Sequence, residues 1–346
     1  MERTLCVWFP DWPLRRPDVP PADPCQAVDD RNIVVAVNRA AVVAGIRVGM
    51  RRREAEAVCP AVTTIEHDPA AEMARFERVA VAVETQIPRI EVVAPGLILA
   101  PVTGAVRYFG GEEPLIDRIA KEIDAATGPG FRLGLAAGPF AARRAAEITT
   151  LDDPFLVVDD DDAFRANLDV AALDSEDMAA VFRWLGIGTL GELAALPREA
   201  VVSRFGPDGL RAHRLATGED RDTSNRVIAE DLSIEDKFDP PLENLEQAAF
   251  VARGLAHQLL SAPELRGSTP HRLEIEAEAA DGALHNRTWR SADPFSETML
   301  AERVRWQLQA WLDTARSRSG PGIRGGLVRL RIMPADLSDD GRQLAL

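Results

Sequence analysis

The chain has 346 residues, 46% of them hydrophobic and 27% charged, the make-up of an ordinary globular protein rather than of a disordered or membrane class. That length exceeds one ordinary core and predicts two or three domains. A formal net charge of -15 excludes a protein coated by nucleic acid over its whole surface, because phosphate binding relies on neutralisation by Lys and Arg; a local basic face stays open.

No apolar run approaches the roughly 20 residues a spanning helix needs, and Met1-Glu2-Arg3-Thr4 lacks a signal-peptide pattern, so a cytoplasmic protein with no membrane contact is expected. Cys6, Cys25 and Cys59 form no Cys-x-x-Cys pair, which predicts neither a zinc site nor a disulfide framework. His67, His213, His257, His271 and His285 are equally scattered. Positive charge is almost all Arg, with Lys121 and Lys237 the exceptions, and between Glu264 and Arg331 the arginines slightly outnumber the acids.

In chain order, Thr4 to Phe9 (TLCVWF) is apolar, β-branched and aromatic, and predicts a short buried strand stopped by Pro10, which cannot donate to a ladder. A proline-rich connection, Pro13 to Pro24, leads into AVNRAAVVAGIRVGMRRREAEAVCP, Ala36 to Pro60. Its Arg51-Arg52-Arg53 run reads first as a solvated helix start and second as a DNA contact. Ala70 to Thr85 has helical spacing, with Met73, Phe76, Val79 and Val83 on one stripe. Around IEVVAPGLILAPVTG, Ile90 to Gly104, a pair of strands is expected at Leu97 to Leu99 and Ala105 to Phe109. Glu112 to Ala126 reads as a helix, Phe131 to Leu135 as a strand and Phe140 to Ile148 as a helix. The order helix, strand, strand, helix, strand is that of a ferredoxin-like unit.

Farther along, LGIGTLGEL (Leu185 to Leu193) has the form of a helix-hairpin-helix. Gly186 and Gly188 permit the tight turn, and Thr189 with Glu192 forms a capping box. Amides at such a turn can hold a phosphate without reading sequence; the bland alternative is a connection between packed helices. After the polar linker Glu219 to Asn225, a strand at Arg226 to Ile234, a helix at Leu242 to Leu260, strands at Arg272 to Ala279 and Ala283 to Arg290, a helix at Ser296 to Leu312 and a strand at Leu327 to Met333 predict a second α+β unit. Leu300, Val304, Leu308, Trp311 and Leu312 form its helical core stripe. Asp336 to Leu346 reads as an acidic tether.

These stretches resemble the Y-family (translesion) DNA polymerases. Ala36 to Pro60 is similar to the family's A-x-S-Y-E-A-R-x-x-G-V-R-x-G-M-x-x-x-E-A-x-x-x-C-P, with Gly45, Arg47, Gly49, Met50, Glu54, Ala55, Cys59 and Pro60 in place. FRLGLAAGPFAARRAAE resembles V-x-V-G-I-A-x-x-K-F-L-A-K-x-A, with Arg143 at the second lysine and Pro139 replacing the first; Arg143 and Arg144 read equally as phosphate contacts or as a salt-bridged face. LGIGTLGELAALP resembles L-G-I-x-T-I-G-D-L-A-x-L-P. Ile90 to Gly104 resembles V-E-V-x-S-I-D-E-A-F-L-D-L-T-G, with Glu91, Val92, Thr103 and Gly104 keeping register. The resemblance implies an α+β fold: a ferredoxin-like palm (residues 1–18 and 67–160), small fingers (19–66), a helix-hairpin-helix thumb (161–222), an α+β little finger (223–335) and a tether (336–346).

It fails where the family does chemistry. The catalytic acidic positions fall on Trp8, Pro10, Gly96 and Leu97, and the Tyr and Arg that grip an incoming triphosphate fall on Arg39 and Val42. Magnesium needs oxygen ligands, so two-metal phosphoryl transfer loses its centre; no metal and no other cofactor is expected. A shifted register would offer Asp11, beyond the strand-ending proline. The combination resembles the ImuB type, UmuC-like homologues without polymerase activity that act in damage-induced (SOS) mutagenesis and DNA repair. The resemblance implies as partners the β sliding clamp, an error-prone C-family DNA polymerase, a RecA-like accessory protein and primer-template DNA held without sequence preference, in the bacterial cytoplasm on the nucleoid. DNA contacts are expected from Gly186, Gly188, Thr189, Arg290, Arg303, Arg305, Arg316 and Arg318. Gln343, Leu344 and Leu346 match part of the clamp ligand Q-L-x-L-[F/W]. The rival expectations are a working polymerase using Asp11 with Glu91 or Glu112, and a body that binds proteins alone.

Overall fold

A computed structural model describes residues 2–20, 22–220, 232–265, 268–316 and 322–338, apart from the side chains of Leu245, Glu264, Arg316 and Ser338. Strand β1 (Arg3–Trp8) lies inside a sheet because both its faces are apolar: Leu5 and Val7 join one hydrophobic cluster and Cys6 and Trp8 another. It is followed by a three-stranded sheet of β2 (Cys25–Val28), β3 (Val34–Val37) and β4 (Thr63–Glu66), which carries the short helices α1 (Arg39–Val43) and α2 (Arg52–Val58). Helix α3 (Pro69–Glu84) opens on an Asp68 cap and buries Met73, Phe76, Val79 and Val83, the expected stripe.

The hairpin β5 (Glu91–Ala94) and β6 (Leu97–Pro101) comes next, then α4 (Thr103–Phe109) and α5 (Glu112–Thr127). The expected strand at Ala105 to Phe109 is thus a helix. Val106 and Phe109 pack on the core at helical spacing, Tyr108 is exposed, and Gly110 ends the turn with a left-handed backbone, φ 84°; tertiary packing overrode the strand propensity of these residues. Strand β7 (Arg132–Ala137), helix α6 (Pro139–Ile148) and strand β8 (Phe155–Val157) complete the unit.

A helical cluster follows: α7 (Asp161–Asn167), α8 (Glu176–Trp184), α9 (Leu190–Ala194) and α10 (Arg198–Thr217), the last broken at Gly206 before Pro207. Val170, Phe182, Leu190, Leu193 and Val201 form its own core. The C-terminal part has β9 (Ile234–Leu242), α11 (Leu245–Leu260), β10 (Thr269–Ala279), β11 (Leu284–Arg290), α12 (Glu297–Arg316) and β12 (Leu327–Ser338).

Of the strand expected at Arg226 to Ile234, only the last residues are described, and the strand starts there. Strand β9 carries Pro240 and Pro241 because it is the edge of its sheet, where a missing N–H breaks no ladder. Strand β12 continues past the expected end at Met333 into the expected tether; β9 pairs with it only as far as Ile332, so Pro334 stands where one side of β12 has no partner strand.

The expected separation of the C-terminal unit meets a continuous sheet of nine strands, in the order β8-β7-β1-β6-β5-β11-β10-β12-β9. The join is the parallel pairing of β5 with β11, Glu91 opposite Thr288 and Val92 opposite Trp289. Helix α12 packs on α3, and one hydrophobic core runs from Phe76 and Val83 through Trp289, Leu308 and Trp311.

Candidate functional site

Trp8 and Leu97 stand directly opposite each other in the antiparallel β1–β6 ladder, so their side chains share the sheet face that α6 covers with Ala141, Ala142, Ala145 and Ala146. The Arg132 guanidinium lies 5.3 Å from the centre of the Trp8 ring. This cross-strand pair, where the resemblance calls for two acids, is apolar.

Gly96 forms the tip of the hairpin with φ 95° and accepts a 2.8 Å hydrogen bond from Phe9 N–H. A Cβ there would lie 2.7 Å from Trp12 Cβ and 3.1 Å from the Phe9 carbonyl oxygen. Trp12 cannot move aside easily: its Nε1 donates to the Glu72 carbonyl at 3.0 Å, and its ring meets Phe9 and Phe76 at 5.0 Å each. The position therefore excludes any side chain, a carboxylate included. Pro10 lies in the turn between β1 and the single helical turn Trp12–Leu14.

The three acids of the rival reading are each engaged elsewhere. Asp11 accepts from Arg15 Nε at 2.9 Å, Glu112 from Arg3 Nε at 2.7 Å, and Glu91, fully buried, lies 3.0 Å from Arg290 and 3.2 Å from Arg272. Among the described residues no group of three or more His, Cys, Asp or Glu side chains is placed to hold a metal ion. A pair of magnesium ions, which need carboxylate oxygens, does not fit the residues at Trp8, Gly96 and Leu97.

At the nucleotide-gripping positions, Asn38 caps α1 by accepting from Ala41 N–H at 2.9 Å, leaving Arg39 and Val42 exposed, with Val43 exposed beside them. Arg47, exposed, donates to the carbonyls of Val42 and Ile46, at 2.8 and 2.9 Å.

The amides expected to meet phosphate are already filled. Gly188 N–H and Thr189 N–H donate to Glu192 Oε2 at 2.7 and 3.1 Å, while Thr189 Oγ1 accepts from Glu192 N–H at 3.2 Å. Those bonds hold the Glu192 carboxyl below the usual range. Gly186, φ 81°, donates its N–H to the Arg183 carbonyl at 3.0 Å. The expectation of an open anion site meets amides already taken, those of Gly188 and Thr189 by the chain's own carboxylate and that of Gly186 by a backbone carbonyl.

Arg290 is corrected too: it is buried against Glu91 rather than offered to solvent. Arg303 lies between the rings of Trp289 and Trp306, 5.3 and 4.2 Å from their centres, and burial pulls its pKa down to about 10. Arg305 is half-buried on α12. Arg143 and Arg144 form ion pairs with Glu147 and Asp174, the salt-bridged alternative. The Arg316 side chain, Arg318, Gln343, Leu344 and Leu346 lie outside the described residues.

A buried polar network that the sequence reading passed over joins α3 to the C-terminal part. Glu77 takes Arg287, Gln307 Nε2 and Trp311 Nε1, the last two at 3.1 Å, and Gln307 Oε1 accepts from Trp289 Nε1 at 3.1 Å. Glu84 also pairs with Arg287. Burial pushes the Glu84 carboxyl up against the pull of Arg287; for Arg287, burial is outweighed by Glu77 and Glu84, and its pKa rises. The available signal was an acid inside the apolar stripe of α3, beside Phe76 and one turn from Met73.

Residues 21–147 match a family model described as the impB/mucB/samB family. The chain is 25% identical over 318 residues to DNA polymerase IV 1 of Mesorhizobium japonicum, covering 90% of this chain and 70% of that one. It is 26% identical over 243 residues to protein ImuB of Caulobacter vibrioides, covering 69% of this chain and 52% of the relative, so it spans about half that relative's length. The fold matches DinB from Sulfolobus solfataricus with a TM-score of 0.58 at 16% identity, over 96% of this chain and 98% of the other. It also matches a Dbh ternary complex with a TM-score of 0.55 at 14% identity, over 97% and 99%.

Proposed function

We propose, from a chain that carries an impB/mucB/samB-family domain within a Y-family DNA polymerase fold, a homologue that no longer polymerises and serves as an adaptor in translesion synthesis and damage-induced mutagenesis. In this reading the polymerase body reaches damaged primer-template in the cytoplasm, on the nucleoid, while the β sliding clamp, an error-prone C-family polymerase and a RecA-like accessory protein assemble on it. Residues 1–18 with 67–160 act as palm, 19–66 as fingers, 161–222 as thumb and 223–335 as little finger; Gln343, Leu344 and Leu346 reach the clamp.

The observation that carries it is the hairpin tip: Gly96 has no room for a carboxylate, and its neighbours Trp8 and Leu97 offer no oxygen. Nucleotidyl transfer by two metals needs carboxylates at that place to activate the nucleophile and stabilise the leaving group. The relative named ImuB supports the adaptor; the relatives named DNA polymerase IV support a second reading, an active polymerase with atypical ligands.

Primer extension with magnesium or manganese separates the two. The adaptor gives no templated incorporation, and incorporation abolished by Asp11→Ala overturns it. Pull-down of the full chain against clamp and C-family polymerase, with and without Gln343 and Leu344, then tests recruitment: both partners are captured, and the clamp alone is lost when those residues are removed.

A further inference from the structure

Helix α12 carries a cation that the fold leaves without a counter-ion. The Arg303 guanidinium sits in a corner made by two indole rings, 5.3 Å from the centre of Trp289 and 4.2 Å from that of Trp306, with the rings 6.1 Å apart and inclined at 60°. Among the described residues it has no hydrogen-bond or ion-pair partner. Its Nε is sealed from solvent without an acceptor, while its two terminal nitrogens stay within reach of solvent. Glu302 attracts it but makes no bond to it, and burial outweighs that attraction. A second unpaired donor lies beside it: Trp306 is 7% exposed and its Nε1 has no acceptor. Buried Trp12, Trp289 and Trp311, by contrast, donate their indole N–H groups at 3.0, 3.1 and 3.1 Å.

Donors buried without partners carry their full desolvation cost, and what relieves them is an acceptor. The place of the corner in the fold narrows its source. Trp289 shares its hydrophobic cluster with Leu5 and Val7, whereas Trp8 and Leu97 belong to the cluster under α6, so the corner lies across the sheet from that pair. Nucleic acid aligned on Trp8 and Leu97 would not reach it. We propose that the corner is an anchor point for a partner protein, taking a side-chain carboxylate from an acidic segment of that partner. A guanidinium fork pairs with both carboxylate oxygens in one plane, and ring faces on two sides admit a flat group more readily than a tetrahedral phosphate. Arg framed by Trp is also the composition of the residues that dominate protein interfaces. One fork encloses too little of a small carboxylate to hold it alone, so flanking residues of the segment contribute the rest. The assignment goes beyond the adaptor reading and holds for an adaptor or an active polymerase alike, so primer extension and pull-down judge that reading while the following measurement judges this one.

Fluorescence anisotropy of a dye-labelled hexaglutamate peptide, titrated with the full chain at low salt, tests it; a net charge of -15 repels such a probe everywhere except at a local cation. Arg303→Met is expected to bind about tenfold more weakly. It should melt no lower than the unaltered chain, because a desolvated cation gives way to an apolar side chain of similar length. Arg303→Lys keeps the charge without the planar fork and falls between the two. A control that removes one exposed charge elsewhere, Arg89→Met, changes affinity less than about twofold. No binding by the unaltered chain, an Arg303→Met chain that binds undiminished, or an equal loss in the control would overturn the assignment. A marked fall in the melting temperature of Arg303→Met would also do so, by making the guanidinium a packing element. So would displacement of the probe by a mixed-sequence oligonucleotide, inorganic phosphate or free glutarate as effectively, charge for charge, as by unlabelled hexaglutamate, since the corner would then belong to a nucleic acid, a phosphate or a small carboxylate.

Discussion

At the tip of the β5–β6 hairpin Gly96 leaves no room for a side chain, whereas at the base of the same hairpin Glu91 lies fully buried between Arg272 and Arg290. Desolvating an unpaired carboxylate costs several kcal/mol. Two guanidinium groups offset that at the base. At the tip the immediate surroundings are the rings of Phe9, Trp12 and Phe76, which carry no counter-charge. The same contrast holds between the apolar pair Trp8–Leu97 and the seam of α3 with α12, where Glu77 is buried but meets Arg287, Gln307 and Trp311. Buried Glu77 and Glu91 hold one half of the molecule to the other, while the hairpin tip is packed with rings.

The largest effect that would break this contrast is at the seam. Glu77→Ala leaves Arg287 without one of its two acids and strips the acceptor from Gln307 and Trp311, and is expected to lower unfolding free energy by about 3–5 kcal/mol in urea denaturation. A loss below about 1 kcal/mol would mean that the network does not hold the halves together. Placing a carboxylate at the tip is the opposite operation. Gly96→Asp must adopt a left-handed backbone and displace Trp12, which together cost about 2–4 kcal/mol in a thermal or urea melt, with no gain in metal-dependent primer extension. A stable variant that extends primers would end the contrast.

Smaller changes sharpen it. Glu192→Ala removes the acidic half of the capping box while freeing the amides of Gly188 and Thr189, so oligonucleotide affinity is expected to rise even as the melting temperature falls slightly. The smallest effect concerns His67, whose Nε2 lies 3.2 Å from Glu72 and whose pKa is raised above 6.5 chiefly by that hydrogen bond. A pKa raised on folding adds stability below the unfolded value and loses it as pH rises through the folded one. Urea denaturation on either side of that range should show a decline under about 1 kcal/mol that His67→Gln lacks.

Much of this architecture could be read in the chain itself. The continuous apolar run Thr4 to Phe9 and the apolar stripe from Met73 to Val83 marked their elements to within a few residues, because each reports its own burial. The lack of a side-chain oxygen at Trp8, Gly96 and Leu97 was equally visible, since it is a property of the residue type. Harder to see was Ala105 to Phe109, whose β-branched and aromatic residues fit a strand until Val106 and Phe109 are known to share a core contact. Arg290 gave no local sign of its fate: a charged side chain looks the same whether its partner is solvent, phosphate or a buried acid.

By itself, then, the amino-acid order determined which segments become strands and helices and which positions lack metal-binding groups, because periodicity and side-chain chemistry act within a few residues. Only the tertiary structure decided that Arg290 closes on Glu91, that Arg287 meets Glu77, that Arg303 meets Trp289 and Trp306, and that two sheets become one. Those pairings cross separations as long as the 210 residues between Arg287 and Glu77, and such partners are chosen by packing and desolvation, which no local pattern records.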